Sequence, residues 1–283
     1  MTDRLPDAFF LPVRGGSLFC LYHAAQGPVT RGRVLHLHPF AEELNTCRRI
    51  SAQFARALAA AGYAVLQFDM HGCGDSQGDF GEATWQTWLH NAHDALSELN
   101  RRAGEHHDNM KQLPLWLWGV RSGALLAADM LRETETPFQM LWWQPVVSGQ
   151  QVLQQWLRLD AAKEWLNKGK ERHETAPTLS EQLKRGQNVH VGGYSITPAL
   201  AKELNDVQLT PARPHQTAPN KLVCMELAAS GASPSPGISK QMQLWETRGW
   251  QTLARSVTCP AFWQQFSDAD ASDLIEASLA ALA

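Results

Sequence analysis

Apolar and polar residues alternate along two short stretches near the start of the chain, the first over residues 8–13. A period of two is typical of β-strands, because successive side chains point to opposite faces of a sheet. Gly15 and Gly16 separate the two stretches, so together they predict a β-hairpin. The alternating apolar residues are Phe9, Leu11, Val13, Leu18, Cys20 and Tyr22.

The pattern then changes to short apolar runs separated by amphipathic segments. Apolar residues recur every four positions from Ile50 to Leu58, a spacing typical of a helix, and Gly62 marks the end of that helix. The helix lies between predicted strands at Arg33–His38 and Tyr63–Asp69, which gives a β-α-β unit.

The same alternation of strands and helices continues along most of the chain. Further strands are predicted at Leu115–Trp118, Met140–Val147, Lys221–Leu227 and Thr258–Gln264, further helices at about Thr84–Arg102, Ser122–Arg132 and Leu274–Leu282, and a loop at Ser230–Gly237. Parallel strands joined by crossover helices are the expected arrangement, so the predicted fold class is α/β.

One long segment, from Ser148 to about Leu209, departs from this alternation. It is richer in Gln, Lys and Glu, and a helix is predicted around Val152–Lys168. We predict that residues 150–209 are a cap inserted into a core made of residues 1–149 and 210–283.

Composition and charge narrow the range of partners. Apolar residues make up 44% of the chain and charged residues 19%, which indicates a folded protein. The net charge of −3 and the lack of long like-charge runs argue against a nucleic-acid partner. No dinucleotide fingerprint or phosphate-loop motif is complete, so no cofactor is expected.

Cysteine usage indicates a reducing compartment. The five cysteines are widely spaced and include no C-x-x-C pair, so neither a disulfide framework nor a metal site is predicted. The N-terminus lacks the basic start and apolar core of a signal peptide, and no run reaches the ~18 apolar residues of a membrane span. We expect a cytoplasmic protein without a transmembrane segment; the pattern leaves the oligomeric state open.

A turn with two glycines carries the most specific motif. Gly119-Val120-Arg121-Ser122-Gly123 has the glycine spacing of a nucleophile elbow, G-x-S-x-G, in which one strained residue projects over the sheet. Arg121 takes the middle position, and a guanidinium has no nucleophilic atom. A shift by one residue would present Ser122 but would put β-branched Val120 where a small residue is needed, so the glycine-defined register is favoured.

The loop after the first parallel strand reads His38-Pro39-Phe40-Ala41-Glu42-Glu43-Leu44-Asn45. Enzymes with an elbow place an oxyanion-hole amide there, which Phe40 can supply and Pro39 cannot. His38 is a candidate general base, or a side chain that only holds the loop by hydrogen bonds.

Charged residues in and after this loop leave two alternatives open. Glu42 and Glu43 could perform acid–base chemistry, although pairing with Arg48 and Arg49 across one helix turn is favoured. Arg121 is either an anion clamp or one half of a structural ion pair, and its candidate partners in the second case are Asp268 and Asp270.

The hairpin, the His38-Pro39-Phe40 loop, the Asp69…Gly72-x-Gly74-x-Ser76 loop and the Gly119–Gly123 turn together resemble the α/β-hydrolase fold. Narrower motifs, namely Pro39–Asn45 with Arg48-Arg49, Trp143–Gly149, and Gly193-Tyr194 with Thr197-Pro198, resemble the exosortase A system-associated hydrolase 2 group over nearly the whole chain. This resemblance implies a mostly parallel eight-stranded sheet flanked by helices, a helical cap at about 150–209, and a hydrolase of a bacterial exopolysaccharide and protein-sorting system.

The chain departs from that family in its triad. α/β-Hydrolases order the triad Ser…Asp/Glu…His, yet the last histidine is His215 and no carboxylate occurs in Ala228–Gly231, after a predicted strand. An active enzyme would cleave an ester or transfer an acyl group with Ser122, or with a water activated by His38 or Glu42. Ligand contacts are predicted for Arg121, Phe40, Asn45 and Arg48, and the ligand is an ester, an acyl compound or a saccharide derivative. The alternative is a non-catalytic protein that binds an anionic ligand or a protein partner at Arg121.

Overall fold

The computed structural model describes residues 5–106, 113–134, 136–168, 177–214, 220–228, 232–264, 268 and 270–282, without the side chains of 106 and 159–168. The strands are β1 (Asp7–Val13), β2 (Gly16–His23), β3 (Gly32–Leu37), β4 (Tyr63–Phe68), β5 (Leu115–Val120), β6 (Gln139–Trp143), β7 (Val189–Val191), β8 (Tyr194–Ile196), β9 (Lys221–Ala228) and β10 (Gln251–Thr258). The helices are α1 (Glu42–Ala60), α2 (Trp85–His106), α3 (Gly123–Glu133), α4 (Gly149–Lys168), α5 (Leu179–Lys184), α6 (Pro198–Asp206), α7 (Pro236–Glu246) and α8 (Ser272–Leu282), with a 3₁₀ turn at Phe80–Glu82.

Eight strands form one sheet in the order β1-β2-β4-β3-β5-β6-β9-β10. The hairpin β1–β2 is antiparallel and joins β4 in antiparallel register, whereas β4, β3, β5, β6, β9 and β10 pair in parallel. This arrangement confirms the predicted fold class, a mostly parallel eight-stranded sheet flanked by helices. The carboxyl ends of the parallel strands meet at one edge, where ligands bind in open α/β sheets.

Helices cover both faces of the sheet, so its central strands β3, β5 and β6 are buried along their whole length. Helices α1 and α8 pack on one face and helices α2, α3 and α7 on the other, which gives two apolar clusters. Trp142 and Trp143 show the alternation directly. Trp142 packs against Trp245 of α7, and Trp143 packs against Trp118 on the opposite face.

We use the term cap segment for residues 149–209, which lie between β6 and β9. It contains α4, α5, the two-stranded hairpin β7–β8, and α6. Tyr194 of the hairpin contacts Phe80 with the ring centres 5.1 Å apart, which joins the cap segment to the loop before α2. None of the helices in the described ranges is long and apolar enough to cross a membrane.

Two predicted strands are wrong in extent. The last strand lies at Gln251–Thr258 and not at Thr258–Gln264, whose aromatic residues suggested a strand although Pro260 argues against one. As an edge strand, β10 is half exposed and lacks a strong apolar pattern. The strand predicted to reach Val147 ends at Trp143, because Gln144 takes a positive φ of 43°. Helix α7 begins inside the loop predicted at Ser230–Gly237, of which residues 230 and 231 lie outside the described ranges.

Candidate functional site

Arg121 stands at the apex of the turn between β5 and α3. Its φ is 53°, a left-handed conformation that a non-glycine residue rarely adopts. A side chain at either flanking glycine would collide with backbone: a Cβ on Gly119 would lie 2.7 Å from Ala124, and one on Gly123 would lie 2.0 Å from the carbonyl of Leu37. The turn therefore has the register that the glycines define, with the guanidinium in the middle position.

The Arg121 guanidinium is held by partners from three parts of the chain. Its Nε and Nη2 atoms donate to the Glu43 carboxylate at 3.3 and 3.2 Å, and Nη2 also donates to the amide oxygen of Gln155 in the cap segment at 3.2 Å. Nη1 donates to the carbonyl of Gln144 at 3.2 Å. The Arg121 side chain is only 8% exposed. Four of its five N–H bonds thus have acceptors, and one on Nη1 has none among these contacts.

A tryptophan packs against the same guanidinium. Trp263 lies in the loop after β10, and the centre of its ring is 4.8 Å from the Arg121 Cζ atom, within the range of a cation–π contact. The carbonyl of Trp263 accepts a hydrogen bond from the hydroxyl of Thr46 at 3.0 Å, which fixes the loop against α1. The predicted partners of Arg121 are wrong, because Asp268 is exposed and Asp270 accepts hydrogen bonds from Ser272 instead.

The carbonyl that Arg121 contacts belongs to Gln144, which is itself held by two hydrogen bonds. Its N–H donates to the carbonyl of Met225 at 2.8 Å, and its amide oxygen accepts from the N–H of Leu227 at 2.6 Å. These bonds hold Gln144 at its positive φ of 43° and fix it to β9. Backbone strain that surrounding structure holds in place clusters at functional sites, and here it falls on both Gln144 and Arg121.

Ser122, the residue after the apex, is turned into the protein. Its residue surface is 1% exposed, and its Oγ atom accepts a hydrogen bond from the N–H of Phe40 at 3.2 Å. The Phe40 amide, predicted to serve an oxyanion hole, therefore has a partner in the protein itself. The Phe40 ring is also buried and stacks on Trp88 with the ring centres 4.3 Å apart.

The elbow and the sheet order agree with what comparison with known proteins finds. The family model described as serine aminopeptidase, S33, matches residues 28–193, more than half of the chain. The chain belongs to the serine aminopeptidase S33 family of α/β-hydrolases. No curated protein matches it closely enough to count as a relative.

Solved structures show the same fold at low sequence identity. A soluble variant of monoglyceride lipase from Saccharomyces cerevisiae has a TM-score of 0.58 and 13% identity, over 90% of this chain and 87% of that one. Est1E from Butyrivibrio proteoclasticus, solved with ferulic acid, has a TM-score of 0.56 and 12% identity, over 88% and 89%. An α/β serine hydrolase without a lid from Xanthomonas campestris has a TM-score of 0.55 and 15% identity, over 98% and 94%.

In this S33 family member, His38 has both ring nitrogens occupied. Nδ1 lies 2.7 Å from the carbonyl of Pro39, and Nε2 accepts from the N–H of Met70 at 3.1 Å, which places the proton on Nδ1. Burial lowers the pKa of His38, so the ring is neutral. These contacts join the loop after β3 to the loop after β4.

Glu42 and Asn45 lie on the first turn of α1, where the cap segment touches the core. Glu42 is exposed, and the Asn45 side-chain amide donates to the Tyr194 hydroxyl at 3.0 Å and to Glu42 at 3.4 Å. Burial raises the pKa of Tyr194. Both residues predicted from the sequence therefore lie beside Tyr194, which the sequence presents only as part of a family motif.

The predicted pairing of the two glutamates with Arg48 and Arg49 is wrong for Glu43 and Arg48. Glu43 binds Arg121, and Arg48 binds Asp69 at 2.9 Å. Glu43 and Arg48 are five residues apart, which places them on different sides of a helix, whereas pairing needs three or four. The same Asp69 oxygen accepts from the N–H of Asp75, so Asp69 holds its loop.

Burial raises the pKa of Glu43, against the lowering effect of Arg121. The carboxylate is thus a weaker acid than an ordinary glutamate although it faces a guanidinium. Within the described residues, no three His, Cys, Asp or Glu side chains come together to hold a metal ion. Two features of the predicted triad lie outside the described ranges. They are the vacant acid position at residues 229–231 and the last histidine, His215.

Proposed function

We propose that this S33 family member binds a small molecule that carries a carboxylate or phosphate group at Arg121. The observation that carries the proposal is the guanidinium at the apex of the elbow, where the family's motif has a serine. A guanidinium binds carboxylate and phosphate through paired N–H donors. Fixed backbone strain at Arg121 and Gln144 supports a retained binding role.

The residues around Arg121 support the proposal that this protein has no Ser-Asp-His triad. The Ser122 hydroxyl is buried on Phe40, and both nitrogens of His38 hold backbone groups. Trp263 contacts the apex from the loop after the last strand, where hydrolases of this fold carry their histidine. No histidine follows His215 in the sequence. We infer that the acyl-enzyme mechanism has no nucleophile and no base here.

We expect the ligand's anionic group to bind Arg121 where the Glu43 carboxylate binds it. Its carboxylate takes two N–H donors of Arg121, the geometry that a ligand carboxylate would use. Because burial raises the pKa of Glu43, protonation releases Arg121 at a higher pH than for an ordinary glutamate. Anion binding at Arg121 is therefore expected to strengthen as the pH falls through the raised pKa of Glu43.

Titration calorimetry with inorganic phosphate and with acetate at low ionic strength tests the proposal. Glu43→Gln removes the charge that competes with the ligand for the guanidinium. This variant is expected to bind phosphate and acetate about tenfold more tightly. Arg121→Met is expected to abolish binding while circular dichroism shows that the fold is kept. Glu42→Gln, one residue away and exposed, is the matched control and is expected to leave affinity unchanged.

Two results would overturn the binding proposal. One is that the wild type, Glu43→Gln and Arg121→Met all bind phosphate with the same affinity, and likewise acetate. The other is steady turnover of nitrophenyl acetate or butyrate, above the buffer rate, that falls in Ser122→Ala, His38→Ala or Glu42→Ala.

Membership of a hydrolase family favours a second candidate, an ester hydrolase or acyl-transfer enzyme. In that case Ser122, or a water activated by His38 or Glu42, carries the reaction, and Arg121 binds an anionic substrate group or the developing oxyanion. Phe40, Asn45 and Arg48 would then contact the substrate. The nitrophenyl ester assay decides between the two candidates, since only this one requires turnover.

We further propose that the protein serves a bacterial exopolysaccharide and exosortase system, which rests on the sequence resemblance of the Pro39–Asn45 and Trp143–Gly149 motifs. A saccharide-derived acid or acyl compound is the ligand class that this setting favours. All five cysteines are free and buried, which supports a reducing compartment such as the cytoplasm.

A further inference from the structure

The cap segment places a neutral polar side chain, that of Gln155, against the Arg121 guanidinium. Gln155 lies on α4 and is half-buried, and its amide oxygen accepts a hydrogen bond from Nη2 of Arg121 at 3.2 Å. This bond fixes the orientation of the amide, because a guanidinium only donates and the amide must accept through its oxygen. The amide nitrogen is therefore the end that is left for another partner.

The amide nitrogen of Gln155 has no hydrogen-bond acceptor in the described part of the chain. It is not one of the enclosed polar atoms without a partner either, so it keeps surface that a ligand can reach. A further donor is unused close by, since one N–H on Nη1 of Arg121 has no acceptor among the described residues. The site thus offers donors beyond the two that Glu43 occupies.

Glu43 and Gln155 approach the same nitrogen of Arg121. A side-chain oxygen of each lies 3.2 Å from Nη2. A ligand oxygen that takes the place of the Glu43 carboxylate therefore comes next to the Gln155 amide. The paired N–H donors of Arg121 match the two oxygens of a carboxylate, whereas a terminal phosphate group has a third oxygen that needs a donor of its own.

Packing holds Gln155 in place on α4. The next residue, Trp156, is buried, and the centre of its ring lies 5.9 Å from that of Phe80 and 6.4 Å from that of Phe40. At the start of α4, a Cβ on Gly149 would lie 2.3 Å from a backbone carbonyl of α6, so the two helices pack closely. A donor that packing already holds near a ligand loses little entropy when the ligand binds.

The charge along this part of α4 also favours a ligand with more than one negative charge. Residues 149–158 contain no acidic residue, and the one charged residue among them is Arg158. Arg158 is exposed and follows Gln155 by three positions, a spacing at which side chains are neighbours on a helix surface. A second guanidinium therefore stands beside the free amide of Gln155.

We propose that Gln155 makes the Arg121 site select a small molecule with a terminal phosphate group over one with a carboxylate. The Gln155 amide nitrogen donates a hydrogen bond to the third phosphate oxygen while Arg121 binds the other two. This inference rests on the proposed function of the site and narrows it to one class of ligand. It also makes Gln155 a ligand contact that the cap segment supplies.

Titration calorimetry with methylphosphonate and acetate tests the inference, because the two probes share a methyl group and differ in the anionic group. The wild type is expected to bind methylphosphonate more tightly than acetate. Gln155→Leu has a side chain of similar size without a donor, and is expected to weaken methylphosphonate binding about tenfold and acetate binding less than about twofold. Gln154→Leu, at the exposed neighbouring position, is the matched control and is expected to leave both affinities unchanged.

Tighter binding of acetate than of methylphosphonate by the wild type would overturn the inference. An unchanged ratio of the two affinities in Gln155→Leu would also overturn it, and an equal fall of both would show that Gln155 only holds Arg121 in position. In these cases binding at Arg121 still stands. The proposed function itself fails if the wild type binds neither probe or if Arg121→Met keeps the wild-type affinities, and the inference then fails with it.

Discussion

The Cζ atom of Arg121 lies 4.8 Å from the centre of the Trp263 ring, so the apex of the elbow touches the loop that follows the last strand. In serine hydrolases of this fold, the nucleophile and the histidine meet across the same two positions. Here a cation–π contact replaces the contact through which a histidine would take the proton of a serine. The two positions are in contact in this chain, and the contact between them is one of packing.

Trp263 is therefore expected to stabilise the elbow through its ring. Trp263→Leu is predicted to lower the free energy of unfolding about 1 kcal/mol more than Trp263→Phe, because phenylalanine keeps an aromatic face against the guanidinium. Urea denaturation of the two variants measures the difference. Equal loss in both would mean that the ring contributes apolar packing only.

The Arg121–Glu43 pair is predicted to be strongly coupled. Arg121→Met leaves a largely buried carboxylate without its counter-charge and is expected to cost roughly 2–4 kcal/mol of unfolding free energy. The double variant Arg121→Met/Glu43→Leu is expected to recover much of that loss, since no buried charge remains. A double-mutant cycle by urea denaturation checks the coupling, and additive losses would contradict it.

Two glycines give opposite predictions for the same substitution. Gly123→Ala places a Cβ 2.0 Å from the carbonyl of Leu37, so it is expected to destabilise the protein by more than ~2 kcal/mol. In the described part of the chain, nothing outside the helix's own backbone lies within 4 Å of a Cβ added to Gly104, which lies in α2, so Gly104→Ala is expected to stabilise the protein by ~0.5–1 kcal/mol. Thermal unfolding of both variants tests the close packing of α3 on β3.

Three buried histidines predict a loss of stability in mild acid. Burial lowers the pKa of His23, His36 and His38, so the unfolded chain takes up protons near pH 6.5 that the folded chain does not. The unfolding free energy is therefore expected to fall between pH 7.5 and 5.5, by up to about 1 kcal/mol for each histidine.

The variant His36→Phe isolates this effect from other groups. Glu43 and Asp129 have raised pKa values and act in the opposite direction, since they take up protons first in the folded state. Phenylalanine keeps the contact with Trp118 but cannot titrate, so His36→Phe is expected to flatten the pH dependence by one histidine's share. An unchanged slope would show that His36 does not remain neutral in the folded protein.

Local sequence patterns were sufficient to predict the sheet and the elbow. The alternation of apolar runs and helical repeats identifies the α/β class, and the spacing of Gly119 and Gly123 identifies the register with Arg121 at the apex. The edge strand Gln251–Thr258 was missed because its pattern is weak when one side faces solvent. Helix α7 was missed because it begins at Pro236 inside a Ser, Gly and Pro-rich stretch.

The contacts of the site join residues that are far apart in the sequence, so no local pattern reveals them. Glu43 and Arg121 are 78 positions apart, and Gln155 reaches the same guanidinium from the cap segment. The hydrogen bonds of His38 with Pro39 and Met70 likewise join two loops that no local pattern connects. The sequence did contain one signal that Glu43 and Arg48 do not pair. They are five residues apart, and this spacing does not allow pairing within a helix.

Intact-mass spectrometry after treatment with a fluorophosphonate probe tests whether this protein has a reactive serine. If Arg121 has replaced the nucleophile, no covalent adduct is expected on the wild-type protein, and none on Ser122→Ala, under conditions that label a serine hydrolase completely. A single adduct that maps to Ser122 and disappears in Ser122→Ala would contradict that replacement, and would identify this chain as a working hydrolase.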